Sequence, residues 1–203
     1  MKCPAIILAW MSGFALAGNA FAHSPVKGIG TFYNGMLHPY LMPAHLLALL
    51  ALGLMLGQYV PASSRYALPA FVVALVCSVA SVAVLPVSSM DMLLLVVALA
   101  NGLLVAIAIA PGTLIPVALA VAAGAILGLS SPPDGVPSGQ TWLALSGTAL
   151  GASLAVIYAG GVSAWLNSFQ GWPRIALRVL GSWIAASAFL VLVLEIAKSR
   201  GTA

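Results

Sequence analysis

Charge is what this chain lacks. Only three of its 203 residues are acidic and seven are Lys or Arg, 5% in all, while 63% are hydrophobic. A soluble domain carries roughly a quarter charged residues. Ten charges cannot clothe a surface of this size, so lipid must stand where the polar shell would be. The acids are Asp91, Asp134 and Glu195, which leaves almost nothing for paired acid/base catalysis. No nucleophile triad or phosphate-cradling loop replaces them, and the chain is expected not to be an enzyme. Basic runs are also missing. The formal charge of +4 therefore bears on membrane orientation, and no nucleic-acid partner is expected. Cysteine is limited to Cys3 and Cys77. Cys3 lies in a segment expected to be removed, and Cys77 alone can close no internal disulfide.

What the chain does have is long apolar runs, continuous rather than alternating. Alternation would mark a lipid-facing β-barrel. Continuous runs mark helices that satisfy their own backbone in lipid. The expected fold class is all-α, a polytopic membrane helix bundle of six transmembrane helices after a cleaved signal peptide. Residues 1–22 read as that signal, with Lys2, the apolar "AIILAWMSGFALAG" and a small-residue site "AFA". Residues 23–203 form a single six-helix domain. Its spans are expected at 43–60, 67–86, 90–110, 113–130, 141–167 and 174–197, separated by Pro, Gly, Ser and charges. Cleavage puts the mature N-terminus outside the inner membrane. Arg65, Arg174 and Arg178 then fall in cytoplasmic loops and Asp91 and Asp134 outside, as the positive-inside rule favours. Lys198 and Arg200 fall on the disfavoured side.

Polar and small residues within the spans read as structural. Asn101 lies mid-span and reads first as an interhelical hydrogen bond. "SSMD" (88–91) matches a capping box, with Ser88 as the cap and Asp91 at its third position. Gly53/Gly57, Gly124/Gly128 and Gly147/Gly151 repeat at four-residue spacing. Each pair leaves a flat strip for close helix approach, which places the first, fourth and fifth spans inside the bundle.

The three histidines, His23, His38 and His45, all lie at the outer edge. In one straight helix His38 and His45 would stand about 10 Å apart along the axis. Ligands to one ion sit at about 2.0–2.1 Å from it, so that spacing excludes a shared metal. Two prolines change the outcome. Pro43 suits a first helical turn, and residues before proline avoid helical angles. His38 and Met42 are therefore expected to be extended, with His38 on a loop folding back beside His45. Cleavage would give His23 an α-amine and an imidazole, a ready chelate. Met42 is a weaker candidate, since a thioether suits Cu(I).

Three segments carry a resemblance to a known family: His23 at the mature end, "FYNGMLHP" (32–39) and "AHLLALLALGL" (44–54). With six spans in about 180 residues, the chain resembles the HupE/UreJ family of hydrogenase and urease gene clusters. That resemblance implies a nickel or cobalt permease, or a membrane accessory protein that serves as assembly partner to a metalloenzyme. The family pattern His-x5-Asp-His keeps both histidines here, at His38 and His45, but has Ala44 in place of the aspartate. The family's fourth-span histidines are replaced by Ala123 and Leu127, with Gly124 and Gly128 kept and Ser130 near the place of the acid. Two functions follow. One is uptake of nickel or cobalt through an outer-face site of His23, His38 and His45. The other is a non-transporting accessory protein, binding copper at its outer mouth with help from Met42.

Overall fold

The computed structural model describes residues 28–59, 64–82, 90–131 and 136–201. The expected signal peptide, its cleavage site and His23 lie outside the described residues. The described residues form seven α-helices and no strand. They are α1 (Thr31–Leu41), α2 (Pro43–Gln58), α3 (Ser64–Val82), α4 (Asp91–Ile107), α5 (Leu114–Leu129), α6 (Thr141–Ser168) and α7 (Trp172–Gly201). A 3-10 turn, Ser138–Gln140, precedes α6.

Among the described residues, each of the six apolar runs contains one helix, α2 to α7. Their lengths are unequal. Helices α3, α6 and α7 are long and apolar enough to cross a bilayer, and α1 with α2 pass together as a pair bent by 76°. Helices α4 and α5 have 17 and 16 residues. At about 1.5 Å per residue they reach roughly 25 Å, short of a hydrocarbon core of about 30 Å.

The expected break before α2 is present. Pro43 occupies the first turn and Met42 is extended at φ −94°, ψ 116°. The expectation for His38 needs correction, because His38 is helical and sits in α1 with Pro39 inside the helix. Tertiary contacts overcome the pre-proline preference. A proline ring removes the N–H that would bond the carbonyl four residues back, here Gly35. Thr148 Oγ1 of α6 donates to that carbonyl instead, at 3.1 Å. Tyr40 Oη donates to Gly151 O at 2.8 Å. A Cβ on Gly147 or Gly151 would strike the α1 backbone at Phe32 and Met36. Thus α1 is clamped against α6, and both Gly35 and Pro39 are buried.

Helix α2 is the central member, packed between α6 and α4. Its residues 51–57 are buried all round, as expected of a helix apolar on every face. Gly53 and Gly57 let α6 approach, and Gly124 and Gly128 do the same for α5 against α3. Polar ties complete the α2–α6 contact. Ser163 Oγ donates to Leu54 O at 2.7 Å, and Asn167 Nδ2 to Gln58 O at 2.8 Å. Interhelical hydrogen bonds of this kind contribute about 0.6 kcal/mol on average. Ser163→Ala is expected to lower unfolding free energy in detergent by about that amount, with no change in helical content by circular dichroism.

Candidate metal centre

The bend between α1 and α2 folds one histidine onto the other. His45 stands in the first turn of α2 and is 1% exposed. His38 lies one turn before the end of α1. Their ring centroids are 5.4 Å apart, with planes at 73°. Two imidazoles at about 2.0–2.1 Å from one ion, at a tetrahedral angle, put their centroids about 5.2 Å apart. The observed centroid separation matches that distance, with the two rings in an edge-to-face arrangement. It comes from a hinge between two helices rather than from a loop folding back.

A third group comes from α4. His45 Nε2 is 3.5 Å from Asp91 Oδ1, with the histidine side chain 1% and the aspartate 43% exposed. The expected capping box does not describe this residue. Met90 is the N-cap of α4, so Asp91 is its first helical residue and not its third. Ser130 fixes this corner, because the Met90 N–H donates to Ser130 Oγ at 2.9 Å. Residue 130 thus ties the start of α4 to the end of α5. Reading "SSMD" as a local cap hid Asp91 as a partner of His45. The signal that could have found it is position, since Asp91 is the acid opening a span on the same expected side as the histidines.

The site is polarised. The N-termini of α2 and α4 both end here, and each carries about half a positive charge. A cation at this point is repelled by both helix ends unless a carboxylate offsets them, and Asp91 supplies the one anionic side chain in the arrangement. His45 Nδ1 is buried with no hydrogen-bond partner among the described residues. Since Nε2 faces Asp91, Nδ1 is left as a lone-pair donor or N–H with no partner among the described residues. Met42, the hinge residue, is half-buried.

The fourth-span counterpart offers no ligand. Ala123 and Leu127 are buried, and a Cβ on Gly124 would come 2.5 Å from Phe71 O of α3. Gly124 and Gly128 are the residues that pack against α3. Among the described residues, no group of three His, Cys, Asp or Glu side chains is placed to hold a metal ion. His38, His45 and Asp91 instead form two contacts in series, centred on His45.

A family model described as HupE / UreJ protein matches residues 10–191. The chain belongs to the HupE/UreJ family. No curated protein and no solved structure matches it. HupE/UreJ membership together with the apolar helices makes this a membrane protein with a metal-related role, permease or accessory, in a family concerned with nickel and cobalt. Members of the family are not enzymes.

Proposed function

We propose that this HupE/UreJ protein takes up a divalent transition cation, nickel or cobalt, across the inner membrane. In this reading the bundle crosses the bilayer six times, with α1 lying at the outer mouth. His45 is the central ligand, His38 and Asp91 flank it, and His23 of the processed N-terminus adds a further nitrogen from outside. Imidazole and carboxylate are the donors that suit such ions. One observation carries the proposal: at one end of the bundle His45 meets His38 of α1 on one side and Asp91 of α4 on the other. Ala44 has replaced the family's aspartate beside His45, and Asp91 restores a carboxylate to the same imidazole from the neighbouring helix. Cells expressing the natural chain are expected to accumulate radioactive nickel or cobalt above background. The His38→Ala, His45→Ala double variant is expected to fall to background at equal membrane abundance. Equal accumulation by both would remove the site from the function.

A second reading draws on α5. With buried Ala123 and Leu127 offering no ligand on α5, the protein would bind the ion at its mouth without passing it on, as an accessory to metalloenzyme assembly. Copper(I) would then be the favoured ion, through His45 and the Met42 thioether. Nickel binding without nickel uptake would select this reading.

A further inference from the structure

Three side chains along the contact between α2 and α4 each carry a buried atom with no hydrogen-bond partner among the described residues: His45 Nδ1, Gln58 Oε1 and Asn101 Oδ1. An unpaired buried acceptor is costly, and more so where lipid excludes water. Natural proteins rarely leave several in one line without a ligand for them.

The register of the two helices follows from their ends. His45 meets Asp91 at one end, at 3.5 Å. At the other, Gln58 Nε2 donates to Val105 O at 3.4 Å and Tyr59 Oη to Leu104 O at 3.3 Å. The helices therefore run parallel, and Asn101 is level with Met55. It stands about 15 Å below Asp91 and about 6 Å above Val105 along the axis.

Its neighbours on α4 fix its direction. A Cβ on Gly102 would meet Ala185 N and Gly181 O of α7 at 3.0 Å, so Gly102 faces α7. Leu103 is 46% exposed, and Asn101 is fully buried. Asn101, about 100° round from Gly102 on the side opposite Leu103, flanks α2.

Both amides are held in one orientation. Asn101 Nδ2 donates to Val97 O at 2.9 Å, and Gln58 Nε2 donates to Val105 O. A carbonyl can accept only from the amide NH2, so neither amide can be flipped without losing its bond. Both are therefore turned with the oxygen outward from its anchor. Acceptors presented in this way suit a cation or its hydration shell and offer nothing to an anion.

We infer that the seam between α2 and α4 is the inward route for the captured cation, with the side-chain carbonyls of Asn101 and Gln58 as its stations. This rests on the uptake function proposed above. Neutral oxygens hold a partly hydrated ion weakly, which allows it to leave as well as arrive. The route replaces the fourth-span histidines that this chain lacks, and it needs no ligand from α5.

The test uses the full chain in proteoliposomes, with external radioactive nickel. Asn101→Leu and Gln58→Leu are each expected to slow initial uptake by about 10-fold or more, and the double variant to abolish it. Nickel affinity by titration calorimetry should stay within about two-fold, because the capture site is untouched. Thermal unfolding of Asn101→Leu should not fall, since a shape-matched apolar group removes an unpaired acceptor, while Gln58→Leu also frees the Val105 carbonyl and is expected to lower it slightly. Asn101→Gln keeps a neutral amide oxygen and is expected to retain more uptake than Asn101→Leu. Normal uptake by both leucine variants overturns the seam and leaves the uptake function standing. Loss of uptake together with lowered melting temperature and lost nickel binding also overturns it, by giving both amides a structural role. No uptake by the natural chain sinks the function and the route together, while nickel binding by that chain would still be measurable.

Discussion

Asp91→Asn abolishes high-affinity nickel binding, weakening it on the order of 100-fold, while the bundle stays folded. The expectation follows from charge rather than shape. Asparagine is nearly isosteric with aspartate, and Asp91 is 43% exposed in side chain, so its replacement opens no cavity. What disappears is the anionic group at a point where two helix N-termini converge. Each of those ends is equivalent to about half a positive charge. A divalent cation placed beside His45 without Asp91 meets two helix N-termini whose charge that side chain no longer offsets. Carboxylates that merely support a metal-bound histidine already contribute about 10–100-fold in affinity, and one that also offsets fixed positive dipoles should lie at or above the top of that range. Asp91→Glu keeps the charge with one more methylene and is expected to lose about 10-fold or less. Titration calorimetry with Ni²⁺ on purified protein measures both, and circular dichroism checks folding. Affinity of Asp91→Asn within about two-fold of the natural chain would remove the carboxylate from the site.

Much of the architecture was legible in the sequence because lipid imposes simple rules. The helices α2 to α7 follow from continuous apolar runs, and the start of α2 follows from Pro43. The three glycine pairs told which faces come into contact, since a missing Cβ acts locally. The parts that were not legible depend on tertiary partners. His38 precedes a proline and by local preference should be extended. It is helical because Thr148, more than a hundred residues later, bonds the Gly35 carbonyl that Pro39 cannot serve. Asp91 read as a cap because a four-residue pattern says nothing about which helix lies alongside. Its contact with His45 spans 46 residues of chain and depends on α2 and α4 lying parallel. Asn101 was visible as a polar residue mid-span, but the orientation of its oxygen follows from the carbonyl of Val97 and the flank facing α2. The inner members were named only in part, since α2 is central while α5 packs chiefly on α3.

The second large effect is on folding, at Gly57. A Cβ built there falls against the Gly160 carbonyl, 2.7 Å from Ser163 Cβ and 2.9 Å from Ala164 N. Two of these three obstacles are backbone, so no rotamer change relieves them and α2 and α6 must separate. Overpacking a close-packed interior costs about 1–3 kcal/mol for a small addition, which sets the expectation for Gly57→Ala. Gly57→Leu adds three further carbons into the same contact and is expected to yield no monodisperse folded protein. The comparison is Gly161→Ala, on the same α6 helix, where nothing lies within 4 Å of the added carbon. There the substitution should stabilise by about 0.5–1 kcal/mol, through the helix preference for alanine over glycine. Unfolding in detergent followed by circular dichroism separates the two. The same measurement bears on the metal centre. Gly57 lies about 18 Å along α2 from His45, too far for direct contact with an ion. Yet α6 holds α2 through Ser163 and Asn167, and holds α1 through Thr148 and the carbonyl of Gly151. One helix therefore positions both histidines. If Gly57→Ala opens the α2–α6 contact, nickel affinity should fall in step with stability. If affinity is unchanged while stability drops, the clamp of α1 on α6 and the hinge at Met42 suffice to set the 5.4 Å spacing of the rings.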